Sequence, residues 1–306
     1  MRNAFVDEIT KIAGKNKKIV LLAGDIGYKL FDNFQKKYPN RFYNCGVAEA
    51  NMTTTAAGLA LKGFIPITYT IATFNVYKTV EQIKIDICYP NLGVIIVGVG
   101  SGLSYAGLGA THHAVEDVGV LRSIPNIKIV SPADSNELRS LLRNIIKKKK
   151  PTYLRIGKKG EKNIYKSVPK TILGKGNVIY DGKNVCIIAT GNVIVNANAA
   201  AINLRKKNIY CGLVSMHTIK PLDRNLLNKI FKKYKNIVIL EEHTSIGGLS
   251  SAVSEYFMET GLRNRFLKLN TGTEFILKSG SQKEAQKKLN ISSEAIEKKI
   301  KTFLKK

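Results

Sequence analysis

Residues 44–63 read NCGVAEANMTTTAAGLALKG, and this stretch organises the interpretation of the whole chain. After Gly46, small and apolar side chains recur at three- and four-residue steps, which is the spacing of one face of a helix. Gly63 stands where a helix stop is expected. A helix built from alanine, threonine and glycine can lie very close to its neighbour. The stretch therefore predicts a tightly packed helix that begins near Val47.

Glu49 is the one charged residue between Cys45 and Leu61, at the start of this predicted helix. One interpretation is structural, because the helix dipole favours a carboxylate in the first turn whatever its function. The other is functional: a carboxylate held in an apolar seam can bond a ligand nitrogen. Residues further along the chain have to decide between the two.

Strand patterns alternate with helical patterns along the chain. Apolar runs of strand length occur at residues 19–23, 42–44, 64–70, 94–99, 127–130 and 153–156, and again at 185–189, 211–214, 237–240 and 266–269. The run VIIVGV at 94–99 shows no polar alternation, which is typical of a parallel strand covered on both sides. Repeated βα units predict an α/β protein of two three-layer α/β/α domains with mostly parallel sheets.

A Lys-, Gly- and Asn-rich passage with weak patterning interrupts the alternation and predicts the domain boundary. We expect a first domain over residues 1–160, a linker over 161–175 and a second domain over 176–306. The length and the hydrophobic content of 44% are sufficient for two ordinary cores.

The formal net charge of +27 raises the question of nucleic-acid binding. The lysines are spread over the chain, and no aromatic and basic residues interleave in the way that stacks bases. We therefore expect no specific nucleic-acid partner. An anionic, phosphorylated substrate or an acidic partner is compatible with the charge.

The chain shows no sign of a membrane segment, a disulfide framework or a metal site. No apolar run reaches membrane-spanning length, and the first 18 residues resemble a docking helix more than a signal peptide. We expect a cytoplasmic protein without a membrane partner. The four cysteines are scattered through apolar runs without a CxxC pair, so we predict buried thiols and no metal ligands.

Ligands of parallel α/β sheets bind beyond the carboxyl ends of the strands, so the residues that follow the apolar runs are the site candidates. Asp25 follows the first run. Phe74 and Tyr77 follow the third, where a ring is either core or a platform for an aromatic ligand. A glycine-rich loop after 94–99 carries His112 and His113. Adjacent histidines usually point apart, and acid/base chemistry or substrate hydrogen bonding fits them better than zinc.

Several of these stretches together resemble the C-terminal half of transketolase and are similar to its relative 1-deoxy-D-xylulose-5-phosphate synthase. The matching stretches keep the family's order and separation: GVAEANM at 46–52, AAGLA at 56–60, Thr73-Phe74, THH at 111–113, IPN at 124–126, MHTIKPLD at 216–223 and EEHTSIGG at 241–248. The resemblance covers nearly the whole chain.

The resemblance implies that thiamine diphosphate is the cofactor. The family's glutamate that matches Glu49 hydrogen-bonds the aminopyrimidine of this cofactor and is catalytic. Phe74 would stack on the pyrimidine with Tyr77 beside it, and we also count Asp25 among the cofactor-binding residues. Thiamine chemistry makes and breaks carbon–carbon bonds by stabilising a carbanion.

The resemblance also implies a set of substrate residues. His112 would be a second catalytic residue that bonds substrate oxygens, with His113 beside it. Arg155 and Lys158 fall where the family holds a substrate phosphate, and Lys158 is the closer positional match.

Two departures from the family pattern bear on partners and substrate. The Gly-Asp-Gly…Asn motif that binds Mg²⁺ and the cofactor diphosphate in the family is missing from this chain. We therefore expect a separate N-terminal-half subunit to hold Mg²⁺, in an α2β2 heterotetramer in which this chain also pairs with a second copy. Leu108 stands where transketolases usually have an aspartate that hydrogen-bonds a substrate hydroxyl. The identity of the sugar is therefore not determined by the resemblance.

The expected activity is transfer of a two-carbon ketol unit between sugars or sugar phosphates. Two alternatives remain. One is the β subunit of a 2-oxo acid dehydrogenase-type decarboxylase, which is also a half-enzyme with a glutamate. The other is a non-catalytic subunit that keeps the fold. The Thr-His-His loop favours transketolase over the first, and Glu49, Phe74 and His112 argue against the second.

Overall fold

The computed structural model describes residues 1–158, 160–277 and 280–305 and contains two mostly parallel β-sheets covered by helices. The strands are β1 (Ile19–Ala23), β2 (Phe42–Asn44), β3 (Ile65–Ile71), β4 (Ile95–Val99), β5 (Lys128–Val130), β6 (Thr152–Ile156), β7 (Asn177–Tyr180), β8 (Val185–Ala189), β9 (Cys211–Ser215), β10 (Thr218–Lys220), β11 (Asn236–Leu240) and β12 (Arg265–Leu269).

The helices alternate with these strands. They are α1 (Arg2–Lys15), α2 (Asp32–Lys37), α3 (Glu49–Leu61), α4 (Ala72–Tyr77), α5 (Val80–Gln82), α6 (Asp117–Arg122), α7 (Ser135–Lys148), α8 (Ile194–Arg205), α9 (Arg224–Lys233), α10 (Leu249–Met258), α11 (Gln282–Lys288) and α12 (Ser293–Lys305). Short 3₁₀ turns lie at Pro39–Arg41 and Ala106–Leu108. In the described part of the chain, no helix is long and apolar enough to cross a membrane.

The first sheet has the strand order β10-β5-β6-β4-β3-β1-β2, and all its strand pairs are parallel except β10 with β5. Successive residues of β4 enter different cores. Val97 packs with α1 and α7, whereas Ile96 packs with Met52 and Ala56 of α3. Both faces of the strand are therefore buried, which explains its unbroken apolar sequence. The small residues of α3 pack against this sheet, as predicted.

The second sheet has the order β12-β11-β8-β9-β7, and β7 is its one antiparallel member. One face is covered by α8 and α12, and the other by α9 and α10. The prediction of two layered α/β domains with mostly parallel sheets is confirmed.

Two details of the fold differ from the sequence-based expectation. The strand β10 follows β9 of the second sheet in the chain but joins the first sheet, where Thr218 pairs antiparallel with Val130. It has three residues, and a long-range pairing of this kind leaves no local pattern. The helical period of residues 77–89 predicts one continuous helix, but the structure interrupts it. After α4 the chain turns at Thr79, whose hydroxyl donates to the carbonyl oxygen of Asn75 (2.6 Å), and Ile83–Cys88 then form a π-helix.

The passage predicted as a linker lies between β6 and β7 and is tied to α7. Asp134 Oδ2 accepts hydrogen bonds from the backbone amides of Ile164 (2.8 Å) and Tyr165 (2.9 Å). Glu137, which is fully buried, accepts from the Tyr165 hydroxyl (3.0 Å) and from the Ala133 amide (2.7 Å). The side chains of Asn177 (3.2 Å) and Ser215 (3.0 Å) complete its set of donors. One buried carboxyl group of α7 thus joins the linker to β7 and β9 of the second sheet.

This burial gives a testable pH dependence. Burial raises the pKa of Glu137 to about 7, so the native chain ionises this group at higher pH than the unfolded chain. The stability that Glu137 contributes should therefore be complete below about pH 4.5 and be lost, by on the order of 3 kcal/mol, as the pH rises through about 7. Glu137→Gln should abolish this fall, as measured by urea unfolding at about pH 4.5 and about pH 8.

The difference between the wild-type and Glu137→Gln curves isolates this one group. Burial lowers the pKa of His217 to about 4, which acts in the opposite direction because a neutral buried histidine loses stability as the pH falls. His217 is common to both proteins, so its effect cancels in the difference. Two curves that stay parallel from about pH 4.5 to about pH 8 would contradict the assignment.

Candidate active site

The candidate residues meet at the carboxyl ends of β1 to β4. Asp25 follows β1, the turn that leads to Glu49 follows β2, and Phe74 lies in α4 directly after β3. The loop with His112 follows β4. Because these strands are parallel, their carboxyl ends lie at one edge of the sheet, which brings together residues that are far apart in the sequence.

Glu49 begins α3, and its side chain is buried with 3% of its surface exposed. The helix N-terminus favours its negative charge. The side chain of Lys78 reaches it from the end of α4, with Nζ 3.3 Å from Glu49 Oε2. The same ammonium lies 5.0 Å from the centre of the half-buried Phe74 ring. One cation thus contacts both a buried carboxylate and an aromatic face.

His112 also contacts Phe74. The two rings meet edge to face with their centres 5.2 Å apart, and Tyr105 lies 5.9 Å from His112 in the same way. His112 Nδ1 is 2.9 Å from the Thr111 hydroxyl. Burial, together with the neighbouring His113, lowers the pKa of His112, so the imidazole is neutral at physiological pH.

Lys158 extends the site beyond His112. Its ammonium lies 4.6 Å from the centre of the Tyr105 ring, and the side chain is partly exposed. Lys158, Tyr105 and His112 therefore form a row that leads away from Phe74. This row of contacts combines a cation with an imidazole, a pair of groups that can bind an anion.

Two of the predicted substrate residues already have hydrogen-bonding partners within the chain. Arg155 is buried, and its Nε donates to Asp117 Oδ2 (2.7 Å) while its Nη2 donates to the carbonyl oxygens of Ala114 (2.6 Å) and Glu242 (2.9 Å). These contacts direct Nε and Nη2 to Asp117 and two carbonyl oxygens, and binding of a substrate phosphate by Arg155 stays a prediction. His113 is also buried, and its Nε2 lies 2.9 Å from the Ala106 carbonyl oxygen within the same loop.

Asp25 and Tyr77 lie at the rim of the site. Asp25 is exposed with a backbone φ of 39°, and its Oδ1 accepts from Asn44 Nδ2 (3.0 Å). Asn44 Oδ1 in turn accepts from the Gly46 amide (2.9 Å), so Asp25 supports the turn that leads to Glu49. The Tyr77 hydroxyl donates to Glu116 Oε2 (2.7 Å) while part of its ring stays exposed. Burial raises the pKa of Tyr77, and the nearby Asp117 and Glu116 add to the effect.

Three residues of the site were missed by sequence reasoning: Lys78, Tyr105 and Glu116. A signal existed for Lys78, because a residue four positions after Phe74 in a helical pattern lies on the same side. Tyr105 and Glu116 sit in an irregular loop and at its end, where no periodicity indicates direction. The described residues bring no three His, Cys, Asp or Glu side chains together as a metal site.

The loop after β4 is held in place by the second half of the chain. Glu242 is buried and accepts from the Leu103 amide and from Gln282 Nε2, both at 3.0 Å. The Gly119 amide donates to His243 Nε2 (3.1 Å). The stretch EEHTSIGG therefore acts as a brace for the loop that presents His112.

Comparisons with known proteins agree with this geometry. The pyrimidine-binding domain of transketolase matches residues 1–160, and the transketolase C-terminal domain matches residues 174–296. A subunit of the apulose-4-phosphate transketolase of Phocaeicola vulgatus is 34% identical over 268 residues, which are 87% of this chain and 86% of that protein.

Two further matches show which part of the related proteins this chain corresponds to. The 1-deoxy-D-xylulose-5-phosphate synthase of Aquifex aeolicus is 31% identical over 306 residues, which are 99% of this chain but 48% of that enzyme. A solved structure described as a split-gene transketolase in an inactive β4 tetramer has a TM-score of 0.88 and 30% identity, and the match covers 99% of this chain and 97% of that chain. Since both matching domains are transketolase domains and together extend over most of its length, this chain belongs to the transketolase family, in which it corresponds to the C-terminal half.

Proposed function

We propose that this chain is the C-terminal subunit of a split transketolase that transfers a two-carbon ketol unit between sugars or sugar phosphates. The observation that carries the proposal is the position of the Lys78 ammonium between the Glu49 carboxylate and the Phe74 ring. A hydrogen-bonding carboxylate and an aromatic face that border one space are the two groups that an aminopyrimidine requires.

Membership of the family implies dependence on thiamine diphosphate, and the residues present fit its pyrimidine. The cofactor supplies, when bound, the carbon centre at which carbon–carbon bonds are broken and made. Glu49 would hydrogen-bond a nitrogen of the aminopyrimidine, and its burial would keep water from competing for that proton. Phe74 would stack on the ring, with Tyr77 beside it and Asp25 supporting the turn before Glu49.

On the substrate side, His112 and Lys158 take the main roles. A neutral imidazole can both donate and accept a hydrogen bond, so His112 suits substrate hydroxyl and carbonyl oxygens whose protonation changes. Lys158 would hold an anionic group of the substrate as a point charge. Leu108 is exposed in the same loop as His112, and an alkyl side chain cannot hydrogen-bond a substrate hydroxyl.

We propose that an N-terminal-half subunit carries the diphosphate site and Mg²⁺, and that two copies of each chain form an α2β2 complex. The missing Gly-Asp-Gly…Asn motif supports this, as does the match over nearly equal lengths to a relative that is itself named a transketolase subunit. We also propose a cytoplasmic location and the division into a pyrimidine-binding domain over residues 1–160, a linker over 161–175 and a C-terminal domain over 176–306.

The proposed assembly gives the test of function. Calorimetric titration of the isolated chain with thiamine diphosphate and Mg²⁺ should give no tight binding, because the diphosphate anchor lies on the partner. Addition of an N-terminal-half chain from the same source should restore both binding and ketol transfer. A melting curve of the isolated chain serves as the control for its fold. Tight, Mg²⁺-dependent binding by the isolated chain would contradict the proposal.

A further inference from the structure

Lys78 lies at the site, and the proposed chemistry gives it no role. Its side chain leaves the end of α4 and is 53% exposed, whereas the carboxylate that it reaches is 3% exposed. The Lys78 side chain therefore extends from solvent to the buried end of the site. Its Nζ lies 3.3 Å from Glu49 Oε2 and 5.0 Å from the centre of the Phe74 ring.

These two distances are close to those that a stacked, hydrogen-bonded heterocycle would need. A ring packed on an aromatic face has its centre about 4.5–7 Å from that face's centre, and a ring nitrogen bonded to a carboxylate lies about 2.7–3.2 Å from the oxygen. The ammonium of Lys78 satisfies the contact with Phe74 and the contact with Glu49 at once. A pyrimidine ring placed at these distances from both groups would overlap the position of this ammonium.

We propose that Lys78 is a displaceable counter-ion, which pairs with Glu49 in the isolated chain and leaves for solvent when the aminopyrimidine binds. The inference rests on the proposed function. Lys78 would then lower the affinity for the cofactor, because the ion pair has to break before Glu49 can hydrogen-bond the ring.

The exposure of the two partners explains why the exchange is possible. The long, flexible lysine stem keeps its ammonium close to water, so this charge can be hydrated again at low cost. Glu49 cannot follow it, because the carboxylate is buried at the start of α3. The carboxylate then needs another hydrogen-bonding partner, which the ring would provide.

The test measures cofactor affinity in the complex with the N-terminal-half subunit by calorimetry. Lys78→Met removes the charge that has to be displaced, and should tighten binding of thiamine diphosphate roughly two- to fivefold, the range of a partly exposed ion pair. Lys78→Arg keeps the charge and should bind no more tightly than the wild type. Lys84→Met is the matched control, because Lys84 is exposed and has no ion pair among the described residues.

A second measurement examines the ion pair without the cofactor. Urea unfolding of the isolated chain should show that Lys78→Met lowers the midpoint when Glu49 is present, and has a smaller effect in the Glu49→Gln background. Additive effects of the two substitutions would mean that the pair does not form, which would overturn the inference.

The outcomes separate this inference from the function on which it rests. If the wild-type complex binds the cofactor while Lys78→Met binds it equally or more weakly, Lys78 is no competitor of the ring and the inference is wrong, although the proposed function stands. If the wild-type complex binds no thiamine diphosphate, both are wrong. Tighter binding by Lys78→Met, with Lys78→Arg and Lys84→Met unchanged, would support both.

Discussion

Replacement of Glu49 by glutamine should slow exchange of the C2 proton of bound thiamine diphosphate by about 10²–10⁴-fold, with an equal loss of turnover. Glutamine has nearly the same size and keeps one acceptor oxygen, but it cannot share a proton with a ring nitrogen. The measurement is proton-exchange NMR of the cofactor in the complex with the N-terminal-half subunit. Cofactor affinity should fall much less, because the proposed diphosphate anchor lies on the partner.

A purely structural role for Glu49 predicts a different result. A carboxylate that only favours the start of α3 would lose about 0.3–1 kcal/mol of stability on neutralisation, and proton exchange would not change. Glu116→Gln is a suitable control, because Glu116 bonds Tyr77 at the rim of the same site. Equal exchange rates in the wild type and Glu49→Gln would refute the catalytic assignment.

Replacement of Arg155 by methionine should destabilise the chain by about 3–5 kcal/mol, because it leaves the Asp117 carboxylate buried without its counter-ion. Both side chains are almost fully buried, with Arg155 Nε 2.7 Å from Asp117 Oδ2. The Tyr153 hydroxyl donates to the same oxygen (2.6 Å). This neutral donor cannot compensate the negative charge of Asp117 once the guanidinium is removed. Urea unfolding of the isolated chain measures the loss.

The control for this prediction is an exposed ion pair of the same type. Arg224 Nη1 lies 2.9 Å from Glu259 Oε2, with both side chains more than half exposed, so Arg224→Met should cost less than about 1 kcal/mol. Addition of Asp117→Asn to Arg155→Met should recover part of the stability by removing the uncompensated charge. A similar, small cost for Arg155→Met and Arg224→Met would show that the buried network does not hold the loop as the structure indicates.

The sequence by itself determined the layered α/β architecture of the chain. The apolar runs that become β1, β4, β8 and β11 are recognisable because burial on both faces of a parallel strand requires apolar residues at every position. The small residues of α3 were recognisable for a related reason, since close helix packing restricts side-chain size. The order of the motifs also placed the site candidates at the carboxyl ends of the strands.

The tertiary structure decided which polar side chains meet. Neither the pairing of β10 with β5 nor the brace from Glu242 to the Leu103 amide has a local pattern, because the partners lie far apart in the sequence. The contacts of Arg155 are long-range for the same reason: its position matched the family pattern, but its bonds to Asp117 and two carbonyl groups depend on distant parts of the chain.

Lys78 shows the same division between local and long-range information. Its spacing from Phe74 is a local property of a helical segment, and the sequence contains it. Its contact with Glu49 depends on how α3 and α4 pack on the sheet, and only the folded chain brings them together. Burial leaves a periodic record in the sequence because it selects residues one by one. A hydrogen bond or an ion pair leaves none, because it depends on two distant positions at once.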